Sequence, residues 1–202
     1  MSETRGNKQK HESRNPIQRA LIGNFTRAML RLIATHKPRT ILDVGCGEGY
    51  MLGAIADAGV DAELAGLDLN PEAIADARAR LGDRARLEVR DARELADLGE
   101  RFDLVMMLEV LEHLDDPAAM LPLLGRLAHK QVLLSVPWEP YFRSLNLLRG
   151  KNVRALGNDP EHVQHWSRRG FRRFVEGRFR PLATPQVFPW VMVLAANDRP
   201  GE

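Results

Sequence analysis

The stretch that most constrains this chain is Ile41-Leu-Asp-Val-Gly-Cys-Gly-Glu-Gly-Tyr50. An apolar, β-branched opening meets Asp43. Three glycines then alternate at Gly45, Gly47 and Gly49, and an apolar helical pattern follows at Met51, Leu52, Ile55 and Ala56. This order reads as strand, tight turn, helix. Glycine lets the backbone enter positive φ and lets a ligand approach where a Cβ would stand. The helix that follows offers N–H groups with no partner inside the helix. A dinucleotide fingerprint G-x-G-x-x-G would need glycine at position 50, where Tyr50 stands, so the turn does not point to hydride transfer. Asp43 adds a carboxylate to the same crevice, which suits a cationic or hydroxyl-rich ligand better than a pyrophosphate.

Strand and helix patterns alternate on either side of this turn. Asn15-Pro16 opens a helix whose face carries Ile17, Leu21, Phe25, Met29, Leu32 and Ile33, ended by His36-Lys-Pro38. The pattern predicts strands over Thr40–Val44, Glu63–Asp68, Arg84–Arg90, Phe102–Leu108 and Gln131–Val136. It predicts helices from Tyr50 to about Ala58, from Pro71 to Leu81 behind an Asn70 cap, and from Pro117 to about His129. Such alternation argues for a parallel, doubly wound α/β sheet, with ligands at the carboxyl ends of its strands. Asp68 stands at one such end, 21 residues beyond Gly47. A carboxylate there can accept hydrogen bonds from ribose hydroxyls. Its alternative role is to cap the next helix, which Asn70 fills better.

Length and composition fit one soluble domain: 202 residues, 44% hydrophobic and 28% charged. Cys46 is the only cysteine, so there is no disulfide framework, and a reducing, cytoplasmic setting is expected. It sits inside the glycine turn with no base beside it in sequence, and reads as a small residue that fits rather than as a nucleophile. No apolar run approaches membrane-spanning length, and the polar N-terminus does not read as a secretory signal. Residues 1–14 read as flexible. Charge is unevenly laid out: residues 41–136 hold nine basic and nineteen acidic side chains, while residues 137–181 hold ten basic and four acidic. The basic flanks either meet an anionic substrate or form solvated faces.

The glycine turn with Asp43, the later Asp68, Asp91-Ala92 and the run Glu109-Val-Leu-Glu112-His113 occur in order across residues 39–136. Together they resemble the class I S-adenosylmethionine-dependent methyltransferases, nearest to the O-methyltransferases of ubiquinone biosynthesis. The resemblance implies a single three-layer, Rossmann-like domain over 1–202. Its sheet would be mostly parallel and seven-stranded, closed by strands at about Arg178–Thr184 and Trp190–Ala196, the last antiparallel. It also implies S-adenosylmethionine held by Asp43, Gly45, Cys46, Gly47, Gly49, Tyr50, Asp68, Leu69, Asp91, Ala92 and Glu109. Asp91 would meet the adenine amino group; as an alternative it caps the turn at Ala92–Leu95.

Past Pro137 the character changes, and nine of the twelve aromatic residues fall between Trp138 and Trp190. About thirty residues pass before Ser167 opens a helical pattern, including a helix-like run over Tyr141–Leu148 and a turn at 157–160. Connections of that length are usually functional, and residues 137–166 read as a substrate lid. Because a sulfonium methyl is already activated, the protein must position a nucleophile and exclude water. A base helps where a hydroxyl must lose its proton. The resemblance places Glu109, His113 and His162 as the catalytic candidates. It implies an acceptor that is a small-molecule or lipid-linked hydroxyl compound, which the basic flanks would make anionic, with peripheral membrane contact as an option.

Two further readings stay open. Glu109, Glu112 and His113 would share one face of a helical turn. The small-RNA 2′-O-methyltransferases carry a similar Glu-x-x-Glu-His and complete a metal site with a later His. Here His162 stands four residues before Trp166, with His165 as a second candidate. That reading adds a divalent metal such as Zn²⁺, Mn²⁺ or Mg²⁺ at the acceptor and nucleic acid as substrate. The other reading is a regulatory protein that binds the cofactor and transfers nothing.

Overall fold

A computed structural model of the protein describes residues 15–138, 164 and 166–200. The long helix α1 (Pro16–His36) is capped by the Asn15 side chain, which accepts from Ile17 N–H at 2.9 Å, and Lys37 ends it in the left-handed region. The alternating units follow: β1 (Thr40–Val44), α2 (Tyr50–Asp57), β2 (Glu63–Asp68), α3 (Pro71–Leu81), β3 (Arg86–Val89), α4 (Ala92–Asp97) and β4 (Phe102–Leu108). Then come α5 (Met120–Leu127), β5 (Ala128–Pro137), α6 (Arg168–Glu176), β6 (Arg180–Ala183), β7 (Gln186–Val187) and β8 (Trp190–Ala196).

The sheet order is β3-β2-β1-β4-β5-β8-β6, with the two-residue β7 beside β8. β1 to β5 pair in parallel, and β8 inserts antiparallel between β5 and β6. The expected seven strands and antiparallel last strand are therefore present, with β7 as a short eighth.

Alternate residues of each central strand serve two separate cores. Leu104, Met106, Leu133, Met192 and Leu194 pack with α1, α2 and α3 on one face. Val105, Met107, Val132, Leu134, Val191 and Val193 pack with α4, α5 and α6 on the other. This is the physical content of the continuous apolar strand runs: a parallel strand covered on both faces needs no polar side. Asn197 ties the chain's end to this frame, its buried Nδ2 donating to Gly125 O at 2.8 Å and Ala128 O at 2.7 Å.

Several boundaries depart from the sequence reading. Gly82–Arg84 forms a 3-10 turn, so β3 starts only at Arg86. β5 starts at Ala128 rather than Gln131, because α5 ends at Leu127. Ile17 is 70% exposed, so the buried face of α1 is carried by Phe25, Met29 and Ile33. The expected run over Tyr141–Leu148 and the turn at 157–160 lie outside the described residues, as do most of the expected lid and residues 1–14.

Candidate active site at the carboxyl ends of the strands

The glycine turn has the conformation its spacing predicts. Gly45, Gly47 and Gly49 take φ values of 77°, 52° and 73°, which L side chains rarely adopt. Space adds a second reason at two of them. A Cβ on Gly45 would stand 2.7 Å from Val110 Cγ2, and one on Gly49 would stand 2.9 Å from Leu81 Cδ1. The turn therefore packs directly against the segment that leaves β4.

Asp68 joins the two turns at this end of the sheet. Its Oδ2 accepts from Gly47 N–H at 2.8 Å and its Oδ1 from Asn70 N–H at 2.8 Å. Helix α3 is capped instead by Asn70, whose side chain accepts from Glu72 and Ala73 N–H at 2.9 and 3.3 Å. Leu69 follows with 71% of its surface exposed. Asp43 is buried at the end of β1, with a pKa raised to about 7 by burial and then by the Asp68 carboxylate. Two carboxylates thus meet around the glycine turn, a donor set that favours a cationic or diol-bearing ligand over an anionic one.

Other expected contacts are placed differently. Cys46 turns its thiol into the core, where a Cβ on Gly66 would lie 2.8 Å from its Sγ, and its N–H donates to Leu67 O at 2.9 Å. Burial, with the Asp43 and Asp68 carboxylates, pushes the thiol pKa well up, which suits a packing residue and not a nucleophile. Tyr50 carries the Arg80 guanidinium over its ring at 3.9 Å. Asp91 caps α4 through Arg93 N–H at 2.8 Å and pairs with the Arg93 side chain at 3.0 Å, so the local capping alternative is realised; Ala92 is buried behind it.

The run after β4 is not one helical turn. Glu109 sits in the left-handed region at φ 60°, and a 3-10 turn covers only Leu111–His113. The helical premise that would set Glu109, Glu112 and His113 on one face is therefore not met. Among the described residues no group of three or more His, Cys, Asp or Glu is arranged to hold a metal ion. His162 and His165 lie outside those residues. Glu109 is held instead by β5, its N–H donating to Ser135 O at 3.1 Å and its Oε1 accepting from Ser135 Oγ at 3.1 Å. Glu112 is buried, and its carbonyl accepts from Gln164 N–H at 3.2 Å. Sequence reasoning did not single out Ser135, Gly66 or Val110. Of these only Gly66 carried a signal, since a glycine inside a strand marks a close approach.

Residues 16–178 match the model of a family described as Methyltransferase domain. A ubiquinone biosynthesis O-methyltransferase of Azorhizobium caulinodans is 34% identical over 147 residues, covering 71% of this chain and 54% of that protein. A malonyl-[acyl-carrier protein] O-methyltransferase of Anoxybacillus flavithermus is 33% identical over 113 residues, covering 55% and 44%. The chain thus spans about half the length of these curated relatives. Among solved structures, the magnesium protoporphyrin IX methyltransferase of Synechocystis PCC 6803, with bound SAH, superposes with a TM-score of 0.69 at 19% identity, covering 95% of this chain and 92% of that one. Among the described residues no helix is long and apolar enough to cross a membrane. The chain belongs to the family of S-adenosylmethionine-dependent methyltransferase domains.

Proposed function

We propose that this chain moves the methyl group of S-adenosylmethionine to a hydroxyl oxygen of a small-molecule or lipid-linked acceptor of anionic character. The observation that carries this reading is the pair Asp43 and Asp68 around a three-glycine turn at the carboxyl ends of β1 and β2. When bound, S-adenosylmethionine supplies a methyl group on a cationic sulfur. Asp68 has acceptor capacity left for the ribose diol, and exposed Leu69 offers an apolar face to the adenine. Asp91 and the N–H of Ala92 flank the same base, and buried Asp43 faces the cationic end. The O-methyltransferase names of the curated relatives favour oxygen as the nucleophile.

Glu109 and His113 leave β4 beside this pocket. His113 takes the hydroxyl proton as the oxygen attacks, and Glu109, braced by Ser135, orients the acceptor. The family's gains are positioning and exclusion of water rather than activation. The experiment is a transfer assay with label on the methyl group, run on the whole chain against phenolic and aliphatic alcohols with and without an anionic group. Labelled ether formed in step with S-adenosylhomocysteine supports the reading. Cofactor binding with no transfer to any acceptor, or to fractionated cell extract, would favour a regulatory protein.

A further inference from the structure

Helix α6 carries Arg168, Arg169, Arg172 and Arg173, all exposed. Three other surface arginines are matched locally: Arg84 with Asp57, Arg126 with Asp97 and Arg180 with Asp198. On α6 only Arg172 is matched, by Glu176 at 2.9 Å. Arg168, Arg169 and Arg173 have no ion pair among the described residues. Solvated surface arginines would be free to spread, yet Arg168 lies over the Trp138 ring, 4.9 Å from the centroid.

Trp138 is the first residue beyond β5, so it stands at the ligand-binding end of the sheet. Its N–H donates to Pro189 O at 2.9 Å, and its ring meets Phe188 edge-on at 5.9 Å. Phe188 remains 36% exposed. Val110, the residue after Glu109, packs on the same core cluster as Trp138 and Phe174. Gln164, just before the Ser167 cap, donates its N–H to Glu112 O at 3.2 Å, so the entry to α6 lies against the segment that leaves β4. A guanidinium over an aromatic face gains a cation–π contact that uses none of its N–H donors. Those donors match the two oxygens of a carboxylate or phosphate.

We propose that Arg168, seated over Trp138 and flanked by Arg169, binds the anionic group of the methyl acceptor, whose apolar body lies against Phe188. This deepens the methyltransferase reading and rests on it, since the acceptor's hydroxyl must reach the cofactor from this side. The acceptor class is then an aromatic or otherwise apolar hydroxyl compound bearing a carboxylate or phosphate.

The test uses two fluorescent dyes that differ only in one anionic group, 1-anilinonaphthalene-8-sulfonate and neutral N-phenyl-1-naphthylamine, titrated into the whole chain. The anionic dye should bind saturably and about tenfold more tightly than the neutral one, as one charge-assisted contact implies. Arg168→Gln should remove that advantage and leave the neutral dye unchanged. Arg168→Lys should restore it only in part, because a point charge lacks the planar fork. Arg126→Gln on α5 removes the same charge elsewhere and should do nothing. Benzoate and phenyl phosphate should displace the dye, and the tighter of the two names the anion. Equal affinity for both dyes, an equal effect of Arg126→Gln, no effect of Arg168→Gln, or displacement by neither anion would overturn the proposal. S-adenosylhomocysteine binding, measured by calorimetry on the same samples, should be unmoved by every variant. Its absence from the unaltered chain would strike the methyltransferase reading instead, so the two failures are distinct.

Discussion

Replacing Asp68 separates its proposed role as a cofactor ligand from its role as a loop brace. Each oxygen already accepts one backbone N–H, from Gly47 and from Asn70. An ionised carboxylate has about four lone-pair sites, so roughly two remain for ribose hydroxyls. Hydrogen bonds to a charged group are worth about 1.5–3 kcal/mol each. Asp68 is only partly buried, so water replaces part of what is lost, and the lower bound is the appropriate one. Two such bonds then amount to about 3 kcal/mol, or roughly a hundredfold in Kd for Asp68→Ala. Asp68→Asn keeps one acceptor oxygen but turns an NH₂ toward a backbone donor, and should fall between, at about tenfold. Calorimetry with S-adenosylhomocysteine, which cannot react, reads the affinity. Thermal melting without ligand reads the brace. An unchanged affinity for Asp68→Ala in a chain that still melts cooperatively would show that Asp68 does not hold the cofactor. A melting temperature that collapses in both variants would reduce Asp68 to a structural clamp.

Asp43 gives a pH signature. Its folded pKa is raised to about 7 from an ordinary value of 3.8. Its contribution to stability is therefore fully present below about pH 3.8 and is lost as the pH rises through 7, a penalty of up to about 4 kcal/mol. Asp43→Asn should melt higher than the unaltered chain at pH 8 and nearly alike at pH 4, and a gap that does not widen with pH would count against the buried carboxylate. Gly66→Ala should cost about 1–3 kcal/mol by overpacking, since its Cβ would stand within 2.7–2.9 Å of Leu52, Cys46 and Leu87 side chains. Denaturant melts check this, with part of the loss recovered in Gly66→Ala/Leu87→Val. Cys46→Ala should retain methyl transfer, and the native thiol should resist iodoacetamide at pH 8 until the chain is denatured, because its thiolate is suppressed; rapid native alkylation with loss of transfer would make it a reactive group.

The strand cores and the glycine turn were legible in sequence because each follows from one local rule. Strands β1, β2 and β4 fall on their expected residues because each is a largely apolar stretch bounded by clear breakers, and β8 falls where the resemblance puts it. Asn15, Asn70 and Ser167 all cap as read, their side chains placed where a first helical turn needs an acceptor. What was not legible depends on partners distant in sequence. Glu109 takes a left-handed backbone because Val110 must pack over Gly45 while Ser135 on β5 holds its carboxylate, and no spacing rule contains either fact. The helical reading of 109–113 failed for that reason. Asp91 reads equally as an adenine ligand and as a cap, and the Arg93 contacts show only that the cap is made. The contact of Arg168 with Trp138 likewise joins residues thirty apart in the chain, which no local pattern contains.

The proposed activity is methyl transfer from S-adenosylmethionine bound at the glycine turn. It is tested most directly by following the label of methyl-labelled S-adenosylmethionine incubated with the whole chain and the small-molecule fraction of a cell extract, with mass spectrometry of the products. S-adenosylhomocysteine should appear one for one with a labelled ether whose parent compound carries an anionic group, and both products should be lost in Asp68→Ala at limiting cofactor. Cofactor recovered intact after prolonged incubation, or label transferred equally well by Asp68→Ala at limiting cofactor, would contradict it.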